Sequence, residues 1–205
     1  MELKSLPLFP LGSVLFPEGE LPLRIFEVRY LDMVGKCIQA GAPFGLVSLT
    51  QGSEVRTPNG QEAFAHVGTL ATITQHQSPQ PGLKIIHCVG AQRFRIERTE
   101  RLKHGLWIAD VSHITPDMAV SIPPEMAACS DALRHVMTTL AKASESQAAP
   151  VSNPTQRWSD CAWVANRWCE LLPIPLALKQ KMLELENPLI RLELVNDILE
   201  KLKLV

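Results

Sequence analysis

"PLFPLGSVLFPEGELPLRIFE", residues 7–27, sets four prolines and three phenylalanines among aliphatic residues. Proline has no N–H to give a β-ladder and breaks a helix interior, so the stretch favours extended backbone and turns. It is too apolar for a disordered linker. Two readings follow: a rigid buried framework, or a surface that grips something apolar. As framework, Phe9, Leu11, Val14, Leu15, Phe16, Leu21, Leu23, Ile25 and Phe26 supply core. Each such side chain, fully buried, contributes about 1.5–3 kcal/mol. The prolines would then pre-set extended conformations and lower the entropy of the unfolded chain.

Around this stretch the pattern to about residue 115 is that of strands. "LKSLPLF" predicts a first strand, which Pro7 would confine to a sheet edge or a strand end. "LPLRIF" (21–26) predicts a second, with Leu21, Leu23 and Ile25 on one face. In "EVRYLDMVGKCIQAG", Val28, Leu31, Val34 and Ile38 recur at helical spacing, and Gly41 stands where a helix stops. "FGLVSL" (44–49) reads as a strand buried on both faces. After an Asn-Gly turn signal in "TPNGQ" (57–61) come "VGTLATITQ", "LKIIHCV", "QRFRIER" and "LWIADVSHI". Six or seven short strands at this spacing predict a small, strongly bent sheet or barrel.

At "TPDMAVSIPPE" (115–125) the period changes from 2 to 3.6. Cys129, Leu133, Val136 and Leu140 fit one helix, entered through Pro123 and Pro124. A small and polar loop, "SQAAPVSNPTQ" (146–156), precedes a helix holding Trp158, Ala162, Ala165, Trp168 and Leu172. Helices from about Pro175 to Glu186 and after Asn187-Pro188 complete the chain. In the last, Leu192, Val195, Leu199 and Leu202 form the apolar stripe, with Arg191 off it. The expected organisation is α+β: a β subdomain over 1–116, a proline-containing junction over 117–123 and a helical subdomain over 124–205. Trp158, Trp163 and Trp168 fall five apart, about 140° from one to the next around a helix, so one face cannot bury all three.

The 205 residues are 46% hydrophobic and 20% charged, with a net charge of −1, which offers no overall pull on nucleic acid or anionic lipid. Five scattered cysteines form no C-x-x-C pair, and read as buried free thiols in a reducing cytosol. No signal peptide and no run of about 20 apolar residues is seen, so the expected location is cytoplasmic and not membrane-bound. The six histidines show no metal-ligand pairing, and no nucleophile elbow occurs. No catalytic residue, metal or cofactor is therefore assigned.

In order and spacing, "LPLFPLGSVLFPEGELPLRIFEVRY", "FGLV", "VGTLATI", "VGAQRFRI" and "LKQKMLELENPLIRLELVNDIL" resemble the LON substrate-binding domain. That domain is the N-terminal part of the ATP-dependent Lon protease, and is also found in small stand-alone bacterial proteins. The resemblance implies a PUA-like bent sheet or pseudo-barrel carrying one helix, followed by a helical bundle. It also implies a role in recognising substrates and in oligomerisation. The chain holds no G-x-x-x-x-G-K-[ST] and ends at Val205, so neither the ATPase nor the peptidase activity of Lon carries over.

The expectation is thus a non-enzymatic module for exposed apolar segments of unfolded or tagged polypeptides, working alone or with a protease or chaperone. Phe16, Pro17, Ile25 and Phe26 are the candidate peptide-binding residues. The alternative is an RNA-binding module through Arg93, Arg95 and Lys103 in "RFRIERTERLKH" (93–104). There Arg93 and Arg95 would share a solvated face opposite Phe94 and Ile96. Glu97 and Glu100 dilute that charge and no aromatic interleaves it, so nucleic acid is not the expected partner.

Overall fold

The computed structural model describes residues 2–52, 62–144 and 156–205. The Asn-Gly turn expected over 57–61 and nearly all of the loop over 146–156 lie outside them. The strands are β1 (Glu2–Leu11), β2 (Glu20–Ile25), β3 (Phe44–Gln51), β4 (Ala63–Gln80), β5 (Leu83–Arg101) and β6 (Trp107–His113). The helices are α1 (Val28–Ala40), α2 (Ala127–Ser144), α3 (Cys161–Leu171), α4 (Leu176–Glu184) and α5 (Pro188–Lys201). Two compact units form: residues 1–116 with 174–184, and residues 117–173 with 185–205.

In the β unit the strand order is β2-β5-β4-β3-β1-β6, and β6 pairs back onto β5. The sheet therefore closes on itself as β5-β4-β3-β1-β6, with β2 carried on the first half of β5. All pairs are antiparallel except β1 with β3. Closure makes β1 an interior strand, which corrects the edge position expected from Pro7. The prolines are accommodated locally. Pro7 pairs with Ile108 of β6 before pairing to β3 begins at Leu8, and Pro10 pairs with Val47 of β3 after pairing to β6 has ended at Leu8. Each occupies a position with only one paired flank, where a missing N–H costs no ladder bond. Pro22 is on β2, which pairs only with β5.

"LKIIHCV" and "QRFRIER" prove to be one long strand, β5, rather than two. Gly90, which separates the two apolar runs in the sequence, lies in its middle. The residue marks a close backbone approach instead of a break, because a Cβ there would run into the Phe16 carbonyl oxygen.

Helix α1 is stopped by Gly41 in the left-handed conformation at φ 59°, as expected. Its buried face is turned by about one residue from the predicted stripe. Tyr30, Met33, Val34 and Cys37 are buried, Leu31 and Ile38 flank the core, and Val28 is exposed. The rings of Tyr30 and Phe9 pack with centroids 4.2 Å apart. A second cluster, around Leu8, Val47, Leu70, Phe94 and Val111, fills the closed sheet.

Helix α4 packs with the sheet. Gln180 Nε2 donates to the Val67 carbonyl at 3.0 Å, and Arg93 Nη1 donates to the Leu183 carbonyl at 2.7 Å. The expected helical segment of 124–205 is thus divided between the two units. Nothing in the helical periodicity of α4 says which surface its apolar side covers.

In the helical unit, α2 follows Pro123 and Pro124 through a short 3-10 turn. Cys129 and Leu133 are buried, whereas Leu140 is exposed. Every residue of α3 from Cys161 to Cys169 is buried, Trp163 and Trp168 included, as in a helix covered on all sides. Trp158 precedes the helix and stacks edge-on against Trp163 at 4.9 Å. Arg191 in α5, expected on the solvated side, is buried: its guanidinium meets Asp117 at 2.6 Å, Asn166 at 3.1 Å and the Leu185 carbonyl.

Candidate functional site

The proline-rich segment divides into two parts with different fates. Residues 12–19 are tied down as framework. Thr69 Oγ1 donates to the Leu15 carbonyl at 2.6 Å, Glu18 N to the Gly90 carbonyl at 2.7 Å, and Gly90 N to the Gly19 carbonyl at 2.8 Å. Phe16 is wholly inside, and Pro17 is half-buried beside it. Two predicted residues, Ile25 and Phe26, do come together further on. They line a cleft of about 230 Å³ with Phe9, Pro22, Leu23 and Tyr30, and Arg24 and Glu27 complete its wall. Ile25 is buried in its floor, whereas Phe26 is 56% exposed at its edge.

Three elements build this cleft. Strand β2 brings alternate residues inward, so Leu23 and Ile25 face the core while Arg24 faces water. The first turn of α1 contributes Tyr30, and the end of β1 contributes Phe9 and Leu11. On its other side β2 has no partner strand among the described residues, which leaves a strand edge alongside.

The cleft wall is braced from behind. Arg29 Nε donates to Glu27 at 3.2 Å, and its Nη1 donates to the Gly105 carbonyl at 2.9 Å. Glu62, held 3.5 Å from Arg29, also accepts from Trp107 Nε1 at 2.9 Å. These charges are spent on one another, so the cleft offers chiefly apolar contact. Burial pushes the Tyr30 phenol above its usual range.

Arg93 is not on the solvated face expected for it. At 3% exposure its guanidinium is committed to the C-terminal turn of α4, while Arg95 and Lys103 are exposed on β5 and on the turn after it. All five cysteines are free and buried. Burial raises the Cys88 thiol to about 12 and the Cys129 thiol to about 11, the opposite of an activated nucleophile. Among the described residues no group of three His, Cys, Asp or Glu could hold a metal ion, and no helix is long and apolar enough to cross a membrane.

The Arg29–Glu62 and Arg191–Asp117 pairs escaped sequence reading because their partners are 33 and 74 residues away. For Arg191 a signal existed. It adjoins Leu192 on the arc that also holds Pro188 and Val195, all of them buried.

A closed mixed sheet with α1 and α4 packed on it, followed in the chain by helices of a second unit, defines an α+β fold. The chain belongs to the ATP-dependent protease La (LON) substrate-binding domain family, whose model matches residues 5–201. It is similar to the Lon N-terminal domain protein from Xanthomonas campestris, at 29% identity and a TM-score of 0.73, over 95% of this chain and 98% of that one. It also shares the fold of the N-terminal domain of Mycobacterium avium complex Lon protease, at 15% identity and a TM-score of 0.58, over 95% and 97% of the two chains.

Proposed function

We propose that this substrate-binding module is non-catalytic and takes extended apolar segments of unfolded or tagged polypeptides at the Phe26 cleft, along the outer edge of β2. One observation carries the reading: a large aromatic side chain is left in water at the lip of an apolar cleft, next to a strand edge. An extended peptide could pair its backbone with β2 and seat a side chain against Phe26. Phe16 and Ile25 then serve as supports, since both are closed inside. So small a surface gives a Kd of roughly micromolar or weaker.

Fluorescence anisotropy with a labelled unfolded apolar peptide tests this. Phe26→Asp should weaken binding by roughly tenfold or more, on the scale of one lost aromatic contact. Affinity should change little between about 50 and 200 mM salt, whereas RNA binding would fall steeply. Equal affinity of the variant, or binding of a labelled single-stranded RNA alone, would overturn the reading.

A further inference from the structure

A larger cleft, of about 420 Å³, lies between α1 and the β5–β6 turn. This volume is within the range of about 300–1,000 Å³ typical of ligand sites. Its floor is apolar, formed by Met33, Leu102 and Leu106, and its rim carries Asp32, Lys36 and His104. Asp32 and Lys36 are one helical turn apart, yet neither makes an ion pair among the described residues, and both are exposed. Val28 stands at the edge of this cleft, 73% exposed, just as Phe26 stands at the edge of the smaller one. Phe26 and Val28, two residues apart at the beginning of α1, thus each stand at the edge of a cleft.

We infer that this second cleft extends the polypeptide site. The occupant is the continuation of the same extended segment, seating an aliphatic side chain on Met33, Leu102 and Leu106. A carboxylate beside that side chain would face Lys36 and His104. A rim of both signs over an apolar floor suits a polypeptide better than a free anion, because a peptide brings N–H donors for Asp32 together with a carboxylate for Lys36 and His104. This inference rests on the proposed function, since the first anchor is the one at Phe26.

The test compares two fluorescein-labelled Gly/Ser peptides, one carrying a single phenylalanine and one carrying the same phenylalanine followed by Leu-Asp. The second should bind about tenfold tighter, as burial of one aliphatic side chain would give. Lys36→Glu and Val28→Asp, both at exposed positions, should each bring the ratio of the two affinities toward one. Amide resonances of residues 28–37 and 102–106 should shift with the second peptide only. Equal affinities with shifts confined to residues 20–27 would overturn this inference and leave the first cleft standing. Failure of the single-phenylalanine peptide to bind would overturn both.

Discussion

Arg93 in the β unit and Arg191 in the helical unit are both withdrawn from water, at 3% and 1% exposure, yet they are held differently. Arg93 reaches across from a strand to a helix C-terminus, where the Leu183 carbonyl accepts and the helix dipole favours a cation. Arg191 carries a full counter-charge, with Asp117 at 2.6 Å and only 9% exposed, together with Asn166 and the Leu185 carbonyl. A buried charge is tolerated when its partners saturate it, and the contacts seen here differ in kind: a helix-terminal carbonyl at Arg93, a buried carboxylate at Arg191. The difference lies in what remains after one partner is removed. Losing Arg93 releases the Leu183 carbonyl; losing Arg191 takes a counter-charge from the Asp117 carboxylate.

The largest effect should therefore come from Arg191→Ala. It leaves Asp117 buried without its counter-charge, at a cost of about 3–5 kcal/mol. Thermal unfolding should show a midpoint lower by roughly 10 °C in a chain of this size. Arg93→Ala should cost less, about 1.5–3 kcal/mol, the range for one hydrogen bond to a charged group. Proteolysis or hydrogen exchange should then show the loss concentrated in α4. If Arg93→Ala proves as costly as Arg191→Ala, the distinction between the carbonyl contact and the carboxylate contact fails.

The smallest expected effect compares thiols in the two units. Burial, then the neighbouring Cys37, raises Cys88 to about 12; burial, then the charge of Glu200, raises Cys129 to about 11. Both folded values lie above the usual 9.0, so the unfolded chain ionises first as the pH rises. Their contribution is fully present below pH 9 and is lost as the pH climbs through 11 to 12. At about pH 10 each thiol should cost about 1 kcal/mol. Under reducing conditions Cys88→Ala should lose less stability between about pH 8 and 10 than the parent protein. An equal loss in both would remove Cys88 from the explanation.

Local patterns carried much of the architecture. The change of period near residue 115, the Gly41 stop, the double-proline start before α2 and the Asn187-Pro188 start of α5 all act within a few residues. Continuous apolar runs marked strands buried on both faces, such as β3. The candidate site was half legible. Alternation along β2 brings Leu23 and Ile25 inward, but no local rule says that Phe16 is enclosed while Phe26 stays in water.

The sequence by itself determined the order and kind of the elements, because dihedral preference, capping and hydrophobic period depend on near neighbours. Tertiary structure alone decided the closure of β6 onto β5, the membership of α4 in the β unit, the burial of Arg93 and the partners of Arg191. Arg93 meets a carbonyl 90 residues away and Arg191 a carboxylate 74 residues away. A charged side chain leaves water only when such partners replace its hydration, and no local period can announce a partner at that distance.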